Sequence, residues 1–97
     1  MPEAFRLHRE MGCTRAEFMR WLPGATRQAP CQIDGDIATV VTHGGCVRIS
    51  VQERPPRRIG PIELPVLDIS FFFRGLDEPT RNDFLAYFDL YTRRGGG

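Results

Sequence analysis

Apolar and polar positions alternate most regularly in the middle of the chain. Ile37–His43 and Cys46–Glu53 are two β-rich runs separated by Gly44-Gly45, the strongest hairpin signal present. With those two glycines as the whole loop, His43 faces Cys46, Thr42 faces Val47, Val40 faces Ile49 and Ala38 faces Val51. One side of the hairpin then carries Ala38, Val40, Val47, Ile49 and Val51, which is a core face. The other carries Thr39, Val41, His43, Cys46, Arg48, Ser50 and Gln52, which is mostly polar.

Downstream, Arg54-Pro55-Pro56-Arg57-Arg58 predicts a turn, and Ile59 to Phe73 is strand-like with a change of phase. Ile62 and Leu64 share one parity, while Leu67, Ile69, Phe71 and Phe73 share the other. The slip falls at Pro65, which lacks a ladder donor, and implies either a bulge in one long strand or a break between two. Asp68, Ser70, Phe72 and Arg74 occupy the opposite, polar side, with Phe72 expected to be exposed.

Two stretches have helical character. Thr14-Arg15-Ala16-Glu17 has the spacing of a capping box, Phe18, Met19, Trp21 and Leu22 follow, and Pro23-Gly24 predicts the stop. Asp77 predicts a second N-cap, and Phe84, Leu85, Phe88 and Tyr91 form a stripe that carries a helix to about Arg93. At the N-terminus Phe5 and Leu7 alternate with Arg6 and His8 as in a strand, yet Pro2-Glu3-Ala4 would also open a helix. Ala25–Gly35 predicts a loop.

These elements define an α+β fold, a single antiparallel sheet of three to five strands with two helices on one face. Their order is β(or α)-α-β-β-β(-β)-α. With an N-terminal strand and a split at Pro65 the order resembles that of TATA-binding-protein-like curved sheets. With an N-terminal helix and an unbroken last strand it resembles that of double-stranded-RNA-binding domains. Residues 1–94 are expected to form one domain, and 95–97 a flexible glycine tail.

Composition narrows the function classes. A net charge of +1 on 97 residues provides no long-range attraction for nucleic acid, which makes such a partner unlikely on charge alone. All basic residues are arginine, so lysine nucleophile and Schiff-base chemistry are excluded. The arginine and glycine usage fits a GC-rich bacterial genome. No apolar run has the length of about 20 residues that a membrane span needs, and no signal peptide is evident, so a cytoplasmic location without membrane association is expected. Cys13, Cys31 and Cys46 are odd in number and widely spaced, which predicts free thiols.

Candidate chemistry is sparse. His43 and Cys46, as cross-strand neighbours, could form an activated thiol or half of a zinc knuckle, although no second pair of ligands accompanies them. Arg48, Arg54, Arg57 and Arg58, with Phe72 on the same side, could form an arginine and aromatic platform for single-stranded nucleic acid. Glu53, Glu63 and Asp68 lie close by and weaken it. The end Arg93-Arg94-Gly95-Gly96-Gly97 resembles the tails of ubiquitin-like modifiers and sulfur carrier proteins, but here the tail follows a predicted helix. No phosphate loop, nucleophile elbow or HExxH motif is present, and no catalytic residue, metal ligand set or cofactor is nominated. The sequence therefore favours a non-enzymatic binding or protein-interaction module, or a homodimer, using the exposed sheet face at His43, Cys46, Arg48, Phe72, Arg57 and Arg58. A thiol or metal-binding protein, or a nucleic-acid-binding module, is the alternative.

Overall fold

A computed structural model describes residues 4–93. The elements are β1 (Ala4–Met11), α1 (Arg15–Ala25), β2 (Cys31–Asp34), β3 (Ile37–Thr42), β4 (Gly45–Ile59), β5 (Ile62–Arg74) and α2 (Glu78–Arg93). The five strands form one antiparallel sheet in the order β1-β5-β4-β3-β2. Both helices cover one face of it. The N-terminal segment is a strand, as its alternation suggested, and the element order is β-α-β4-α. The glycine tail lies outside the described residues.

Local chemistry explains the helix boundaries. The Thr14 hydroxyl accepts from the Glu17 amide at 3.1 Å and the Glu17 carboxylate accepts from the Thr14 amide at 2.9 Å, which completes the capping box. Removing the hydroxyl in Thr14→Ala should lower stability by about 1 kcal/mol, measurable by urea unfolding. At the other end the helix runs through the expected Pro23-Gly24 stop and ends one residue beyond it, at Ala25. Thr26 ends it by donating its hydroxyl to the Leu22 carbonyl at 2.9 Å. The Asp77 carboxylate accepts from the Thr80 amide at 3.0 Å and opens α2 as expected.

The core lies between the helices and the sheet. Val47, Ile49, Val51, Leu67, Ile69, Phe71 and Phe73 are buried on the covered face. Phe88 meets Phe71 edge-on at 5.2 Å between ring centroids, and Phe84 meets Phe73 edge-on at 5.8 Å. Phe18 of α1 packs against Phe88 at 5.9 Å, so the two helices share one apolar seam.

Four expectations are corrected. First, the β3–β4 turn is His43-Gly44, not Gly44-Gly45. Thr42 pairs with Gly45, Val41 with Cys46, and Val40 with Val47. Both turn residues have positive φ (51° and 79°), the signature of a tight I′ turn. The register moves by two residues, so each side chain keeps its face. Second, the expected loop contains β2, whose Cys31–Asp34 pair with Val40–Ile37. Third, Arg54–Arg58 is not a turn: β4 continues through it to Ile59 and reverses at Gly60-Pro61. Fourth, β5 is unbroken at Pro65, and the irregularity lies opposite, in β4 between Arg54 and Arg57, where Pro55-Pro56 forms the bulge.

The phase change in β5 therefore has another cause. Beyond Val51 and Leu67 the β4–β5 pair outruns its neighbours, since β3 stops pairing at Ser50 and β1 at Leu67. The two strands continue as a ribbon with no helix above it, and the molecule is 49 Å long but only about half as wide. With no core to face, Ile62 and Leu64 stay on the side that bears Asp68, Ser70 and Phe72. Ile59, Ile62 and Leu64 are 57%, 57% and 42% exposed there.

Candidate functional site

The helix-free face of the sheet can be built row by row from the register, because residues paired across neighbouring strands project to the same side. The first row is Arg74 of β5 beside Cys46 of β4 and Val41 of β3. The second is Arg6 of β1, Phe72 of β5, Arg48 of β4 and Thr39 of β3. His8, Ser70, Ser50 and Ile37 form the third, and Glu10, Asp68 and Gln52 the fourth.

Phe72 sits at the centre of a basin of about 630 Å³ lined by Arg6, His8, Arg48, Ser50, Ser70 and Arg74 among others. It is half-buried rather than exposed, because two guanidinium groups flank its ring. The Arg6 guanidinium lies 5.2 Å from the ring centroid and that of Arg74 lies 5.8 Å away. Arg48 is the direct cross-strand partner of Phe72.

Charge is distributed unevenly over this face. Carboxylates begin in the fourth row, and there they are already engaged. Asp68 accepts a hydrogen bond from Arg54 Nε and lies 3.5 Å from the His8 ring nitrogen, and Glu10 accepts from Arg57 at 2.7 Å. The Arg54 hydrogen bond, with the charges of Arg54 and His8, holds the Asp68 carboxyl below its ordinary value. Farther out, Arg58 and Glu63 pair at 3.2 Å on the opposite side of the ribbon, since Glu63 shares the parity of Leu67. Arg58, expected on the side of Phe72, therefore does not lie there. Among the described residues no carboxylate lies within salt-bridge distance of Arg6, Arg48 or Arg74.

The sequence-nominated residues are thus divided. Arg48 and Phe72 come together, and Cys46 lies one row away beside Arg74. Arg57 and Arg58 lie on the ribbon, each in an ion pair. His43 is taken out of the ladder by its place in the turn, where its Nδ1 lies 2.8 Å from the Thr42 hydroxyl. Cys46 faces Val41 instead, so the expected His43–Cys46 cross-strand pair does not form. Among the described residues no three His, Cys, Asp or Glu side chains are grouped to hold a metal ion.

Arg6, Arg74, His8, Ser50 and Ser70 are the members that the sequence did not nominate. Their signal was partly visible, since Arg6 and His8 alternate with Phe5 and Leu7, and Arg74 and Ser70 share Phe72's parity. What brings Arg6 and His8 to the others is β1 pairing with β5, which local patterning does not specify.

The cysteines are free and differ in access. Burial, with the Glu17 carboxylate nearby, pushes the Cys13 thiol up to about 11 from its ordinary 9.0. As pH rises the unfolded chain loses this proton first. The protonated thiol's contribution to stability is therefore present below pH 9 and lost towards pH 11. Iodoacetamide at pH 8 should label Cys31 and Cys46 in the folded protein and spare Cys13, and peptide mass spectrometry reads the pattern.

Comparison with protein-family models, with curated protein sequences and with solved structures gives no match. No helix among the described residues is long and apolar enough to cross a membrane. The fold and the site together define a small α+β sheet domain whose uncovered face carries a cationic, aromatic-centred basin.

Proposed function

We propose that this protein is a non-enzymatic binding module that receives an anionic partner on its open sheet face, around Phe72. The observation that carries this reading is the convergence of Arg6, Arg48 and Arg74 on one basin, with no carboxylate among the described residues within salt-bridge distance of them. Among the described residues, Arg54 and Arg57 on the same face are paired with Asp68 and Glu10, so the unmatched cluster is a local exception. Three guanidinium groups held together repel one another, and a bound anion relieves that repulsion through charge-assisted hydrogen bonds.

Retention on phosphocellulose at pH 7 and low salt tests the reading. With a net charge of only +1, the chain gains little retention from bulk charge. Arg48→Gln/Arg74→Gln should elute at clearly lower salt than the parent. Arg20→Gln/Arg58→Gln, which removes the same charge elsewhere, should elute between them or with the parent. Equal elution of the two double variants would sink the proposal.

A second reading, self-association through the same face, is favoured by the exposed aliphatic cluster Ile59, Ile62 and Leu64 on the ribbon. Sedimentation equilibrium across a wide concentration range distinguishes it. A strictly monomeric protein removes this version and leaves the first intact.

A further inference from the structure

The dimensions of the cationic basin narrow the class of anion. From Arg6 on β1 to Arg48 on β4 is two strand spacings, about 10 Å, with Phe72 between them. Arg74 lies one row up, roughly 7 Å along the strand. On the other side Ser50 and Ser70 are direct cross-strand partners, with His8 paired to Ser70. These are small donors fit for phosphoryl oxygens. One row farther, the Glu10 and Asp68 carboxylates close the cationic area.

A single-stranded nucleic acid needs a continuous positive track, with site sizes of roughly 4–16 nucleotides per domain in sheet-based binders. This basin has no such track, because the acids of the fourth row would repel a backbone continuing along the strands. Its span suits one or two phosphoryl groups and one planar ring. A ring can lie on Phe72 or on the guanidinium planes beside it, both of which are stacking surfaces for a base.

Building on the anion-binding reading above, we infer that the basin is a site for a nucleotide-sized ligand, a nucleoside mono- or diphosphate. Its phosphoryl oxygens are taken by Arg6, Arg48 and Arg74, and its ring stacks at Phe72. Ser50 and Ser70, on the other side of Phe72 from Arg74, supply further hydrogen bonds to the ligand. The ligand binds without covalent change.

Isothermal titration calorimetry with ADP, inorganic pyrophosphate, adenosine and a twelve-residue oligothymidylate, in a phosphate-free buffer, tests the inference. Amide chemical shifts locate the binding. ADP should bind at one saturable site, more tightly than pyrophosphate or adenosine, and move the amides of Arg6, Arg48, Phe72 and Arg74. Arg48→Gln should weaken ADP roughly 10- to 100-fold, as expected for the loss of a hydrogen bond between charged groups. Its melting temperature should stay that of the parent, because Arg48 is exposed. Phe72→Leu should weaken ADP while leaving pyrophosphate unaffected, which a purely electrostatic surface would not do.

If ADP binds no better than pyrophosphate, the basin does not recognise a ring and the inference fails. If the oligothymidylate binds more tightly than ADP with a steep salt dependence, the surface is a polynucleotide platform, and the inference also fails. If no probe binds while phosphocellulose still discriminates the double variants, the nucleotide assignment is wrong and the broader anion-binding reading survives.

Discussion

Phe71→Ala should unfold the protein or bring it close to unfolding at room temperature. Phe71 is 1% exposed, pairs with Leu7 on one side and Ile49 on the other, and carries the edge of Phe88. Truncating a buried Phe typically costs about 3–5 kcal/mol, out of the roughly 5–15 kcal/mol that holds such a domain together. Phe72→Ala, one residue away, removes only a half-buried ring and its two guanidinium neighbours, and about 1 kcal/mol or less should be lost. Chemical denaturation of the two variants side by side gives the answer. A larger loss at Phe72 would mean that the helices cover the other side of the sheet, and the basin around Phe72 would then be core.

Gly45→Ala should be nearly as damaging, and for a reason unrelated to turn formation. A Cβ at Gly45 would lie 2.9 Å from the Gly75 carbonyl oxygen and closer still to that of Arg74, so backbone rather than a pliable side chain would have to move. Such overpacking costs typically about 1–3 kcal/mol, and the rigidity of the obstacle puts this site at the upper end. Gly44→Ala meets nothing within 4 Å but must hold a φ of +79°. That costs about 1–2 kcal/mol through the left-handed backbone alone. Thermal melts should rank Gly45→Ala below Gly44→Ala, and the reverse order would place Gly45 in the turn after all.

The same pair of glycines shows how far the sequence could be read. Gly44-Gly45 looked like a complete two-residue loop because both residues suit positive φ. One of them serves another end: it lets the start of β4 pass close to the chain leaving β5. His43 then supplies the other positive φ of the turn, a conformation rare enough outside glycine that composition does not suggest it. The face assignment of Val47, Ile49 and Val51 nonetheless survived, because a register change of two preserves parity.

The ribbon was less legible. Local patterning treats a change of apolar parity as a change of backbone, and Pro65 offered an apparent cause. In the structure the backbone of β5 is continuous, and it is the surroundings that change, from helix-covered to uncovered on both sides. Cys31–Asp34 was missed for a related reason, since a short edge strand between Pro30 and Gly35 has little period to detect. Of the basin, Arg48 and Phe72 were legible from one hairpin. Arg74 shared Phe72's parity, whereas Arg6 required the pairing of the two ends of the chain.

That pairing also constrains how the molecule comes to be folded. β5 lies between β1 and β4, and its contacts with β1 join residues 56 apart (Met11 with Leu67) to 70 apart (Ala4 with Arg74). During synthesis the first strand therefore has no partner until most of the chain has been made. The hairpins of β2, β3 and β4 can close early because their turns are local. The sheet as a whole waits for one late insertion, and separations of this kind slow folding through the entropy of closing a long loop. Joining the ends and reopening the chain at Gly60-Pro61 would bring β1 and β5 closer in sequence but would send the partners of the β4–β5 hairpin, now 3 apart (Ile59 with Ile62) to 28 apart (Cys46 with Arg74), to opposite ends of the chain. A protein cut in this way should fold more slowly than the parent, because the loss of the local β4–β5 hairpin outweighs the shorter path from β1 to β5.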